Sequence, residues 1–93
     1  MDRPRDSLKP IDKSLLDEAY QLVTGDRQQS YGHPADNFSR VARLWSVALD
    51  KEVTPEHVAT CMILLKIARQ LHAPKRDNTV DAIAYLLTLE AVR

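Results

Sequence analysis

The sequence predicts an all-α domain, a single four-helix bundle-like unit with short loops. Apolar residues recur at helical spacing in four stretches, and nothing alternates with period two for long enough to be a strand. Breakers punctuate the stretches at short intervals. The 93 residues suffice for one domain with a modest stability margin. Thirteen basic residues balance thirteen acidic ones, which argues against a general nucleic-acid binder, since such proteins carry a net basic footprint. A local phosphate site is compatible with that balance.

Taken in order, residues 1–11 read as a flexible N-terminal arm and residues 12–93 as the helical domain. The arm is polar, carries Pro4 and Pro10 and has no periodicity, so a partner subunit is the natural thing to order it. Asp12 or Ser14 caps a first helix expected to reach Thr24, with Leu15, Leu16, Ala19, Tyr20 and Val23 on one face. Gly25 is expected to stop it in a left-handed conformation. The loop GDRQQSYGHP then holds both glycines of the chain. Pro34 opens a second helix, expected to end at Leu49, whose stripe is Phe38, Val41, Ala42, Trp45, Ala48 and Leu49.

The third helix, Pro55 to Leu71, is the one around which the chain is expected to be organised. Thr54 offers an N-cap hydroxyl and Pro55 takes the first helical position. The helix is apolar around most of its circumference, which predicts that other helices surround it. It is too short and too interrupted to span a bilayer. Cys61, the single cysteine, excludes a disulfide framework and reads as a small buried hydrophobe in a reducing compartment. With no signal peptide or membrane span visible, the expected location is cytoplasmic. After a basic turn at His72 to Arg76, Asp77 or Asn78 caps a fourth helix expected over Thr79 to Val92, with Val80, Ile83, Ala84, Leu87 and Ala91 inward. Leu15, Leu16, Leu86, Leu87 and Leu89 on the outer helices exceed what one neighbour covers. A homo-oligomer, most simply a twofold dimer, is therefore expected.

Three constellations could carry chemistry. Asp77 and Asp81 lie one turn apart at the start of the fourth helix: either Asn78 is the N-cap with Asp81 three residues on in a capping-box-like arrangement, where the helix dipole favours acids, or the two carboxylates share a magnesium ion. Lys66 and Arg69 are charges inside an apolar helix and need partners. An antiparallel return of the fourth helix offers Arg69 an ion pair with Asp77 or Asp81, while the alternative is that Lys66 and Arg69 bind phosphate. In the loop, Arg27 could grip a phosphate, Tyr31 stack on a base, and His33 sit at a helix N-terminus that favours anions. The competing reading is a glycine-punctuated turn in which Asp26 pairs with Arg27 and His33 caps the helix. No nucleophile–base pair, P-loop or zinc-ligand spacing is present, and catalytic residues are not assigned.

The blocks GDRQQSYGHPADNFSRVARLW, MILLKIARQ and DNTVDAIAYL together resemble a family of small phage and prophage proteins of unknown function, over roughly Leu15 to Leu87. Their order is similar to that in phage domains associated with nucleotide modification. More remotely it resembles the all-α nucleotide pyrophosphohydrolases of the MazG and dimeric dUTPase type. Those enzymes hold magnesium against a nucleotide triphosphate with two acidic pairs, E-x-x-E and E-x-x-D. The resemblance places Asp77 and Asp81 at the second pair, one residue more widely spaced, and Lys66 with Arg69 at a family K-x-x-R. The first pair has no counterpart, since Asp17 and Glu18 are adjacent. The implied function is phage-type nucleotide handling, with magnesium-dependent hydrolysis as its enzymatic form. The rival is a non-enzymatic module that engages a host or phage protein.

Overall fold

Helix signals in the sequence set most of the architecture. The computed structural model describes residues 8–93, apart from the side chain of Asp26. The elements are α1 (Ser14–Gln21), a π-helical segment (Leu22–Asp26), α2 (Arg27–Tyr31), α3 (Pro34–Leu49), α4 (Pro55–His72) and α5 (Arg76–Val92). The described residues contain no strand. The all-α, bundle-like class is therefore observed, with α1, the π segment and α2 forming one continuous rod. The expected arm lies largely in residues 1–7, outside the described residues.

The first rod corrects one expectation. Gly25 does not end the helix; it lies inside the π segment, and the left-handed glycine is Gly32, at φ 80°. The cause is local. The Thr24 hydroxyl donates to the Tyr20 carbonyl at 2.7 Å, competing for a backbone acceptor just where Gly25 holds the α-helical path weakly. Asp12 is the residue that fixes the rod's start, its carboxylate accepting from the Ser14 amide at 2.9 Å and from the Ser14 hydroxyl.

The later helices begin and end where their caps dictate. His33 Nδ1 accepts from the Ala35 amide at 3.0 Å, and Pro34 follows in the first turn of α3. α3 ends at Asp50, a left-handed residue at φ 51°. Ser46 then ties down the turn, accepting from the Val53 amide at 2.9 Å while its hydroxyl donates to the Ala42 carbonyl. α4 opens on a capping box in which Thr54 accepts from the His57 amide and His57 Nδ1 accepts from the Thr54 amide, both at 3.1 Å. α5 starts at Arg76, earlier than expected, with Lys75 as N-cap and no side-chain cap. Gln70 of α4 does the holding instead: its Oε1 accepts from the Lys75 amide at 2.9 Å and from Asn78 Nδ2 at 3.1 Å.

α5, not α4, is the element the others share, packing against α1, α3 and α4. Ala19 and Val23 meet Val80 and Ala84 in one cluster; Phe38, Ala42, Val58 and Ala59 form a second, flanked by Trp45, Tyr85 and Leu89. Between them Thr88, buried on α5, donates to the Ala84 carbonyl at 2.9 Å. The expectation that α4 is buried all round fails. Val58 and Ala59 are buried, but Cys61, Leu64, Leu65, Ile67, Ala68 and Leu71 are exposed. An apolar circumference says only that something covers a helix, and here the protomer covers one side.

Candidate functional site

Lys66, Arg27 and Asp81 meet where α4, the first rod and α5 converge. Lys66 Nζ lies 2.8 Å from one Asp81 oxygen, and an Arg27 guanidinium nitrogen lies 3.3 Å from the other. Among the described residues both cations thus share one carboxylate, and these three side chains together are net positive. All three side chains are mostly withdrawn from solvent, Lys66 most of all at 13% exposure. The Arg27 guanidinium also sits 5.0 Å above the Tyr85 ring, an attraction between cation and ring quadrupole. Tyr85 follows Asp81 by one turn of α5, so both face the same way.

From Arg27 a cleft of about 350 Å³ opens between α2, α3, α4 and α5. Tyr31, Phe38, Trp45 and Tyr85 line it, four of the five aromatic residues in the chain. Asn37 and Met62 contribute a polar and a polarisable edge. Phe38 and Tyr85 are tilted against each other at 43° with centroids 6.3 Å apart, which fixes both rings. Tyr31 keeps 60% of its surface exposed at the mouth. A larger cavity of about 850 Å³ lies between the arm and the α4–α5 corner, floored by Leu15, Leu16 and Ile83. Its described lining has no aromatic ring and none of the residues singled out for chemistry, so the smaller cleft is the candidate site.

The sequence-predicted residues divide. Arg27, Tyr31, Lys66 and Asp81 come together. His33 caps α3 and is exposed, as the structural alternative for it required. Arg69 is a correction: it forms no ion pair with Asp77 or Asp81 among the described residues, and lies exposed beside His72 and Asn78. Lys66 takes Asp81 instead, because the antiparallel return sets Asp81 level with the residue one turn earlier on α4. Asp77 is exposed, and no group of three or more His, Cys, Asp or Glu among the described residues could hold a metal ion. The pairing of Asp26 with Arg27 falls on a side chain outside the described residues. Trp45, Phe38 and Tyr85 were read only as packing or not at all; the i, i+4 spacing from Asp81 to Tyr85 was the available signal.

A second charged cluster pins the first rod to α5. Arg76 reaches Glu18 at 3.0 Å and Asp12 at 3.2 Å, and also donates to the Ser14 hydroxyl. Hydrogen bonds from Ser14, then from Arg76, hold the Asp12 carboxyl below its ordinary value. Glu18 and Asp12 in turn raise the Arg76 guanidinium. This cluster is exposed and structural.

A family model described as a domain of unknown function (DUF6378) matches residues 14–93, from the start of α1 to the last residue. The chain belongs to the DUF6378 family. This DUF6378 chain is similar to the Gene 55 protein of Mycobacterium phage D29, at 40% identity over 83 residues that cover 88% of the chain and 55% of that protein. It is also similar to the Gene 55 protein of Mycobacterium phage L5, at 40% identity over 82 residues, covering 86% of the chain and 53% of that protein. The chain spans about half the length of these curated relatives. No solved structure matches. The phage resemblance read from the motif blocks thus holds at the level of this family and its phage relatives. No helix among the described residues is long and apolar enough to cross a membrane.

Proposed function

We propose that this DUF6378 domain binds a nucleotide, with the base in the aromatic cleft and the phosphate against Arg27 and Lys66. The observation that carries the reading is the convergence of four aromatic side chains and Arg27 on one cleft, with Arg27 and Lys66 held by a single carboxylate. Its volume lies at the small end for ligand pockets, which typically run from roughly 300 to 1,000 Å³. Aromatic walls suit a planar base, and a guanidinium beside an ammonium suits a phosphate. In the free protein Asp81 occupies both cations as an internal anion, and an entering phosphate takes its place.

Two carboxylates, one of them neutralised by cations, do not make a resident magnesium site. Magnesium is proposed to arrive with the nucleotide, completed by phosphate oxygens and touching the protein through Asp77 and Asp81. None of the described residues lining the cleft is a carboxylate, so binding is the part of nucleotide handling these residues support best. Thermal-shift titrations with nucleoside mono- and triphosphates, with and without magnesium, test the reading. A ligand at 100 times its dissociation constant adds about 2.7 kcal/mol to folded-state stability, and Arg27→Ala and Trp45→Ala should each abolish the shift. No shift with any nucleotide at millimolar concentration sinks it. The second reading, a module that engages a host or phage protein, draws on exposed Leu44, Val47 and Leu49 of α3. Under it the nucleotide titrations stay flat, and Val47→Glu leaves the melting temperature unchanged.

A further inference from the structure

The exposed side of α4 is built as a pairing seam. Cys61, Leu64, Ala68 and Leu71 follow one another at intervals of three, four and three residues, all exposed and none charged. That spacing is the a/d repeat by which two helices interlock. Leu64 is 59% and Leu71 82% exposed, and Leu65 and Ile67 flank the seam. Together these four side chains show on the order of 400 Å² of apolar surface, a size at which a patch marks an interaction site. The inward residues of the same helix, from Val58 through Met62 and Lys66 to Gln70, are buried or half-buried.

The core of the protomer is built largely of small side chains. Among the described residues the buried hydrophobics are Ala19, Val23, Phe38, Ala42, Val58, Ala59, Val80 and Ala84, half of them alanine, and Val58 is the largest of these side chains that is fully buried. Larger side chains such as Leu15, Trp45 and Leu89 are only partly buried around it, so apolar surface remains to be covered. Covering that surface is a need the described residues leave open. A second copy meets that need from the same synthesis.

We infer that two copies pair through antiparallel α4 helices across a twofold axis near Lys66. In that register Cys61 faces the partner subunit's Leu71 and Leu64 faces the partner subunit's Ala68, so every layer sets a leucine against a small residue and fills to core density. A parallel pair would stack Ala68 on Ala68 and leave a gap between leucine layers. Antiparallel pairing also brings Glu52, just ahead of α4, and Glu56 toward the turn that carries His72 and Lys75 in the other copy. With a net charge of zero, the two copies meet no overall repulsion.

Sedimentation and cysteine cross-linking on the full chain test this. The wild type should sediment at twice the 10.6 kDa protomer mass across micromolar concentrations. Under mild oxidation it should form no covalent dimer, because the two Cys61 residues lie roughly 15 Å apart along the axis. Leu71→Cys should form a covalent dimer through Cys61 of the other copy, and adding Cys61→Ser should abolish it. Within one chain positions 61 and 71 are also roughly 15 Å apart, far beyond disulfide reach. A wild type of protomer mass throughout overturns the proposal. So does covalent dimer from the wild type through Cys61, which is the parallel arrangement, or cross-linking of Leu71→Cys that survives Cys61→Ser.

Discussion

Replacing Asp81 by Asn separates a cluster that only holds the fold from one that also receives a ligand. The substitution keeps the shape and one acceptor but removes the charge that Lys66 and Arg27 share at 2.8 and 3.3 Å. At such separations, an effective dielectric constant of 20 makes each attraction worth roughly 5 kcal/mol. Exposures of 13% to 30% along the cluster return much of that to solvent. The residual cost is dominated by Lys66, left with an ammonium in a half-buried place and no counter-charge. A loss of about 2 kcal/mol is expected, below the 3–5 kcal/mol of a fully buried broken pair. With a urea m-value of about 1–2 kcal/mol/M the midpoint falls by roughly 1–2 M, read at fixed protein concentration. The pair Lys66→Met with Asp81→Leu should recover much of the loss. Stability alone does not identify a ligand site. If Asp81 is an internal anion that phosphate displaces, Asp81→Asn must also strengthen magnesium-free nucleotide binding several-fold while it weakens the fold. Less than 0.5 kcal/mol of destabilisation refutes the electrostatic argument. Destabilisation with unchanged or weaker magnesium-free binding refutes the displacement argument.

Three further outcomes are expected. Thr54→Ala removes the acceptor of the α4 capping box and should cost about 1 kcal/mol in urea unfolding. Phe38→Ala empties the second core cluster beside Tyr85 and should cost about 3–5 kcal/mol, with loss of the cleft's back wall read as loss of any nucleotide-induced thermal shift. Asp12 titrates below its ordinary value of 3.8 in the folded chain because Ser14 and then Arg76 bind its charged form. Its contribution to stability is therefore complete above 3.8 and disappears as pH falls through the lower folded value. Asp12→Asn should lower the melting temperature slightly at neutral pH, where the charged form contributes, and flatten its fall across that acid window.

The sequence declared its helices wherever a cap and a breaker coincide. Pro34 behind His33 and Pro55 behind Thr54 mark starts that the structure keeps, because both signals act within one turn. The start of α5 was hidden because Gln70, five residues upstream of Lys75 on another helix, holds it; no local rule reaches that far. Gly25 misled for a related reason, since the rod continues through it by widening. In the candidate site, Lys66 was recognisable as a charge in need of a partner, and Asp81 as an acid on the returning helix. Which basic residue meets which acid depends on the axial register of α4 and α5. A slip of one turn separates Lys66 from Arg69 in that choice, and periodicity does not encode it. The exposure of Cys61 and Leu71 was illegible for a deeper reason. Hydrophobicity records that a surface is to be covered, without recording whose chain covers it.

The π segment lets the chain carry an insertion without a loop. A π turn holds about one residue more than an α turn, so residues after Leu22–Asp26 are rotated by roughly 100° from where an unbroken α-helix would set them. Upstream, Leu15 and Ala19 stay packed on α5; downstream, Arg27 and Tyr31 are re-aimed at Asp81 and the cleft. A one-residue length change in a continuous helix would ordinarily scramble everything beyond it. Here it is absorbed as winding, and the packing stripe and the cleft face can be adjusted separately. Among relatives, a chain one residue shorter between Leu22 and Asp26 would keep the same core and turn Tyr31 away from the cleft, so length in this segment would sort cleft-bearing chains from those that retain only the scaffold.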